Sequence, residues 1–256
     1  MATQDTWSNT IPNRDFRVPY LPELFPQATL AMALKGHEKL LDLACGTGKL
    51  AFGFTPYVAS LTGVDTELPM LESARQYASE NGIKIDLIHS RAEDIPQDIG
   101  AFDVVTIGKA HWFMDASKVI PKIDTLLTDN GKILVCGAFS ESAWQSTFLR
   151  VRKIWSDSEK PRITPDAFFA SSRFARSGTV ILETSHEIPM DHAIKRAFAL
   201  PGTTLAHLGD RAKAFAAELE QALSPFLVNG KLTETQKNTG HIYSRKDSSP
   251  ARRAWY

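Results

Sequence analysis

Over the first half of the chain, short apolar runs alternate with stretches of helical periodicity. Residues 39–45 (KLLDLAC) predict a buried strand stopped by Gly46. Residues 61–65, 85–89, 102–108 (FDVVTIG) and 133–137 (ILVCG) predict four more. Bounded by Gly, Asp and Asn, these runs have the pattern of strands covered on both faces. Helices are predicted over 48–58, 67–81 and 115–127, with a lead-in helix over 22–35. Strand–helix alternation implies a parallel sheet with right-handed crossovers, whose ligands sit outside the carboxyl ends of the strands. Asn130-Gly131 predicts a turn just before the fifth strand.

Beyond residue 138 the alternation weakens. Helices are predicted over 141–157, 165–175 (Pro165 as first helical residue), 191–200 and 209–224, and strands over 179–186 and 240–245. Residues 139–225 are expected to cover the strand ends as a lid, and the last two strands to complete the sheet. The expectation is a single domain over 1–256. Its parts are a lead-in (1–37), a core (38–138), the lid and substrate elements (139–225), and the last strand with a tail (226–256), mobile from 247 to 256.

Composition narrows the function. Lys plus Arg and Asp plus Glu each number 29, so there is no basic excess to neutralise phosphates, and nucleic acid is not the expected partner. The two cysteines, Cys45 and Cys136, lie in apolar strand runs, which suits buried thiols in a reducing cytoplasm rather than a disulfide scaffold. Residues 1–5 lack the basic stretch of a secretory leader, and no apolar run approaches the ~20 residues of a membrane span. The seven histidines and two cysteines show no compact ligand spacing, so no metal is expected. A cytoplasmic monomer or homodimer acting on a small molecule is expected.

Gly46-Thr47-Gly48-Lys49-Leu50-Ala51 fits G-x-G-x-x-G/A between a strand and a helix. Glycines there allow a tight turn and close approach of the backbone to a ligand. Asp65, 19 residues past Gly46 at the end of the next strand, is placed to accept both hydroxyls of a ribose. Asp42, alternatively a solvated strand-end carboxylate or a helix cap, selects among nucleoside cofactors. A carboxylate beside the glycines repels a pyrophosphate but favours the ammonium and sulfonium of S-adenosylmethionine.

Residues 41–48 (LDLACGTG) closely resemble the first motif of class I S-adenosylmethionine-dependent methyltransferases. Val64-Asp65 with Met70-Leu71-Glu72-Ala74-Arg75 is similar to the second motif, and residues 90–96 (SRAEDIP) to the adenine-contacting segment. Residues 102–105 resemble the fourth strand, and residues 130–134 the turn into the fifth. The matches run in order from about 38 to 138. The resemblance implies an α/β fold, a doubly wound, seven-stranded, mostly parallel sheet (Rossmann-like) with a helical lid insertion, and S-adenosyl-L-methionine as cofactor. It implies a cofactor site made of Phe16, Asp42, Ala44, Gly46, Thr47, Gly48, Asp65, Thr66, Met70, Ala92, Glu93, Gly108 and Trp112. Glu93 is alternatively a solvated loop acid or a helix cap, and Met70 and Trp112 are alternatively core residues.

Residues 108–115 (GKAHWFMD) resemble the His-Trp-Phe-Asp segment of small-molecule methyltransferases related to ubiquinone-pathway and trans-aconitate enzymes. His111 is a candidate base or orienter there, or a structural histidine that caps a helix or bonds a carbonyl. Lys109 is a solvated charge or a cation for an acidic substrate. Residues 15–22 resemble the family's lead-in, which would bring Phe16 and the candidate catalytic residue Tyr20 to the open side of the cofactor; both are alternatively hydrophobic anchors of the lead-in helix. Cation–π contact with a sulfonium is worth ~0.5–2 kcal/mol. Methyl transfer to a small molecule is the leading expectation. Two alternatives stand beside it: cyclisation of the cofactor to azetidine-2-carboxylate with release of methylthioadenosine, and a non-catalytic regulatory binder.

Overall fold

The structure, a computed structural model, describes residues 7–156 and 162–246. The tail expected over 247–256 lies outside the described residues. No helix among the described residues is long and apolar enough to cross a membrane.

The first strands are β1 (Lys39–Leu43), β2 (Ser60–Asp65), β3 (Asp86–His89) and β4 (Phe102–Gly108). They pair in parallel, β1 with β2 and β4, and β2 with β3. The fifth strand, β5 (Leu127–Ser140), also pairs in parallel with β4. β6 (Phe174–Pro189), a two-residue β7 (Leu227–Val228) and β8 (Lys231–Arg245) complete a sheet of order β3-β2-β1-β4-β5-β8-β6, with β7 antiparallel to β8. This is the expected mostly parallel, doubly wound sheet.

The helices are α1 (Leu24–Met32), α2 (Lys49–Gly53), α3 (Leu68–Glu80), α4 (Ala116–Leu126), α5 (Gln145–Trp155), α6 (Pro165–Phe169), α7 (Met190–Phe198), α8 (Leu205–Leu208) and α9 (Ala212–Leu223). Three expectations are corrected. Asn130-Gly131 is not a turn before β5 but lies inside it, where the register with β4 jumps from Phe102↔Leu127 to Val104↔Lys132. The helix expected over 165–175 stops at Phe169, because Ser172 Oγ donates to the Phe169 carbonyl (2.7 Å) and accepts from Phe174 N (3.1 Å), drawing the backbone out of helical bonding. The helix expected over 48–58 ends at Gly53, and a 3-10 turn with Pro56 follows over Thr55–Tyr57.

The described residues fall into two compact units. Residues 20–137, 162–181 and 239–246 form one, and its core gathers Leu41 and Leu43 of β1, Val105 and Ile107 of β4, Ile133 and Val135 of β5, Phe168, Phe169 and Tyr243. These positions alternate along their strands, so Asp42 and Thr106 point to the opposite face. Residues 7–19, 138–156 and 182–238 form the other, around Trp144, Phe148, Val151, Phe215, Leu219 and Leu223. There Arg196 is buried with Glu234, donating from Nη2 to Oε2 (2.7 Å) and from Nη1 to Oε1, and its Nε donates to the Phe16 carbonyl (2.9 Å). Gln236 Nε2 (2.7 Å) and Asn238 Nδ2 (3.2 Å) both donate to the Pro19 carbonyl.

Candidate functional site

The cofactor loop lies in the first unit, between β1 and α2. β1 ends at Leu43, and Ala44 then takes a left-handed φ of 52°, uncommon for a residue with a side chain. Gly46 (φ 56°) and Gly48 (φ 79°) follow in the same region, where glycine carries no steric cost. A Cβ on Gly48 would strike the Phe52 ring, whereas one on Gly46 would meet nothing. Thr47 between them is half-buried.

Asp65, at the end of β2, braces this loop. Its Oδ2 accepts from Gly46 N (2.8 Å) and its Oδ1 from Glu67 N (3.0 Å). The Thr66 amide adds to these bonds, and the two carboxylate oxygens together still have acceptor capacity to spare. Burial raises the Asp65 carboxyl above its ordinary value, against the pull of these amides.

Asp42 is 1% exposed. Thr106 Oγ1 donates to its Oδ1 (2.7 Å), while Oδ2 is buried without a hydrogen-bond partner. A buried, unsatisfied carboxylate oxygen is costly in the protein alone and suits a site that takes a cation. The residues at the loop therefore fit S-adenosylmethionine in their chemistry: a buried acid with an unpartnered oxygen, a backbone open at Gly46, and a carboxylate at the end of the next strand.

The other expected contacts are placed as follows. The Thr66 carbonyl is 2.9 Å from His89 Nε2. Met70 is buried on α3, and Ala92 is buried in the 3-10 turn Ala92–Asp94. Glu93 has both oxygens engaged: Oε1 accepts from Asp115 N (2.9 Å), and Oε2 lies 3.4 Å from Arg91 Nε. It thus has the helix-cap alternative's geometry, at the start of α4. Gly108 ends β4, and a Cβ there would come within 2.6 Å of the Tyr20 hydroxyl. Lys109, at φ 55°, sets its ammonium over the Tyr20 ring at 5.0 Å.

His111 opens a 3-10 turn (His111–Phe113) just past β4. Its Nε2 lies 2.9 Å from the Ile163 carbonyl, and its Nδ1 is buried without a partner. Burial holds the imidazole below its ordinary pKa, so the neutral ring with the proton on Nε2 is favoured. This is the geometry of the carbonyl-bonding alternative. Trp112 is half-buried, edge-on to His111 at 4.8 Å, with the Arg162 guanidinium 5.3 Å from its ring. Phe16 lies in the second unit, against His192 (5.1 Å) and Lys195 Nζ (5.0 Å). Thr106 was missed by sequence reasoning. Its only signal is a lone hydroxyl in the apolar run FDVVTIG, at the register position of Asp42.

Comparison with known proteins agrees with this geometry. Residues 40–131 match the model of the methyltransferase domain family. The chain is 31% identical over 103 residues to the uncharacterized methyltransferase YcgJ of Bacillus subtilis, covering 40% of this chain and 41% of that one. It is 34% identical over 104 residues to the demethylmenaquinone methyltransferase of Thermus thermophilus, covering 40% and 47%. It is 36% identical over 101 residues to a ubiquinone biosynthesis O-methyltransferase of Vibrio atlanticus, covering 39% and 40%. The matched region spans less than half the length of these curated relatives. Among solved structures, the fold resembles that of YcgJ (TM-score 0.59, 22% identity, 87% of this chain and 98% of that one). It also resembles a methyltransferase from Thiobacillus denitrificans held with S-adenosyl-L-homocysteine (TM-score 0.59, 16% identity, 96% and 100%). Residues 40–131 thus match the methyltransferase domain family, within a chain whose fold resembles that of solved methyltransferase structures.

Proposed function

We propose that the chain is an S-adenosylmethionine-dependent methyltransferase that acts on a small molecule by in-line methyl transfer. The observation that carries this reading is the buried Asp42, with one carboxylate oxygen unsatisfied, beside a loop braced by Asp65. Bound S-adenosylmethionine supplies a methyl group already activated by its sulfonium. Asp42 would neutralise the positive methionine end, and the Gly46–Gly48 backbone would admit it closely. Asp65 would take the ribose, while Ala92 and the main chain of Glu93 would border the adenine. The protein's remaining task is to hold the acceptor in line about 3 Å from the methyl carbon. Tyr20, Lys109, His111 and Trp112 stand at the end of β4, where the acceptor would be oriented. The names of the quinone-pathway relatives support a small-molecule acceptor.

The test is to incubate the purified chain with S-adenosylmethionine, alone and with a panel of phenolic, quinol and carboxylic acceptors, and to identify nucleoside products by mass spectrometry. S-adenosylhomocysteine that appears only with an acceptor is expected. Methylthioadenosine formed with no acceptor would overturn methyl transfer in favour of cyclisation. Cofactor binding without turnover across the panel would favour a regulatory binder.

A further inference from the structure

Asp42 and Thr106 are register partners on the adjacent parallel strands β1 and β4, and both side chains are buried. The Thr106 hydroxyl has a single proton, and it goes to Asp42 Oδ1 at 2.7 Å. That bond fixes the plane of the carboxylate and leaves Oδ2 without a hydrogen bond of ordinary geometry among the described residues. We propose that Thr106 is a positioning residue of the cofactor site, holding Asp42 with Oδ2 reserved for the ligand's cationic end. This inference rests on the S-adenosylmethionine reading.

The groups around Asp42 set the balance. Burial is the largest influence and opposes ionisation; the Thr106 hydroxyl and the Ala51 amide of α2 favour it, and the charge of Asp65 at the end of β2 opposes it. Cys45 of the loop and Cys136 of β5 are thiols held protonated by burial, with the Asp42 charge adding to the effect. Lys109, past β4, acts on Cys136 in the opposite sense. Among the described residues no cation is among the influences on Asp42, whose carboxyl is pushed up to about 7. A ligand that brings a positive group supplies the missing partner and draws the carboxyl into its ionised form.

Calorimetric titration of the full chain with S-adenosylhomocysteine, from pH 5.5 to 8.5 and in buffers of different ionisation enthalpy, tests this. In the wild type, affinity is expected to rise about tenfold between pH 6 and 8, with close to one proton released at pH 6 and almost none at pH 8.5. Thr106→Val should move the midpoint upward and weaken binding about fivefold at pH 7, with affinity converging on the wild type at high pH. Thr106→Ser should restore both. Asp42→Asn, which keeps the shape of the side chain, should abolish the proton release; any residual pH dependence belongs to the ligand's amine and is subtracted. The proposal is overturned if Thr106→Val leaves the midpoint in place, or weakens binding equally at every pH without rescue by serine. It is also overturned if Asp42→Asn still releases the proton. A wild type that fails to bind the nucleoside at any pH would instead remove the cofactor reading itself.

Discussion

At Asp42 the needs of the fold and of the ligand oppose each other. Its carboxyl has an ordinary value of 3.8 and is pushed up to about 7 in the folded chain. The folded state therefore binds the proton more tightly than the unfolded state between those values. The resulting stability is present in full below about pH 4 and is lost as pH rises toward 7, by on the order of a few kcal/mol. His111, His192 and His241, held low by burial, act in the other direction near pH 6, so the informative quantity is a difference. Thermal melts of the ligand-free chain should show wild type losing stability relative to Asp42→Asn between pH 5 and 8. Parallel pH profiles for the two proteins would show that Asp42 is not the group responsible. The pH that suits the empty fold is thus the pH at which the ligand finds its partner still protonated.

At the scale of elements, β5 shows how one glycine accommodates an irregular strand. A Cβ on Gly131 would lie 2.5 Å from Leu127 Cγ and 3.0 Å from the Thr128 carbonyl. Gly131→Ala should cost about 1–3 kcal/mol by overpacking the bulge, measured as a lower urea midpoint with an unchanged denaturant slope. An unshifted midpoint would mean that Leu127 moves aside freely. The same strand marks the limit of sequence reading. β1, β2 and β4 were legible because they are largely buried and their apolar runs are nearly continuous. Asn130-Gly131 has the composition of a turn, yet the ladder with β4 resumes past it at Lys132. β8 was read only over 240–245 because Glu234, Gln236 and Asn238, buried on one face, look in sequence like a solvent-facing row. In the candidate site, the Gly46 loop, Asp42 and Asp65 were singled out by spacing and charge, and the structure brings the loop and Asp65 together through the Gly46 amide. Thr106 was not, because its role comes from the register of β4 against β1, a contact 64 residues apart.

At the scale of the whole molecule, each of the two units has its own organisation. In the unit containing the cofactor loop, the buried polar pair is Thr106 with Asp42. In the other, Arg196 and Glu234 are 5% and 1% exposed in their side chains, with His186 Nε2 3.5 Å from the acid. Removing one member of such a pair leaves an uncompensated charge, so Arg196→Ala should destabilise the chain by about 3–5 kcal/mol in urea unfolding. Arg196→Met with Glu234→Gln should recover much of that loss. A wild-type midpoint for Arg196→Ala would show that the pair contributes little. The same arginine, with Gln236 and Asn238, grips the lead-in by the carbonyls of Phe16 and Pro19. Every amino acid carries a carbonyl, so these hydrogen bonds are indifferent to which side chain is mounted at either point. The route of the chain at these two points can thus be inherited unchanged while the side chains of Phe16 and Pro19 vary, a division of labour in which new preferences can be tried without relearning the fold.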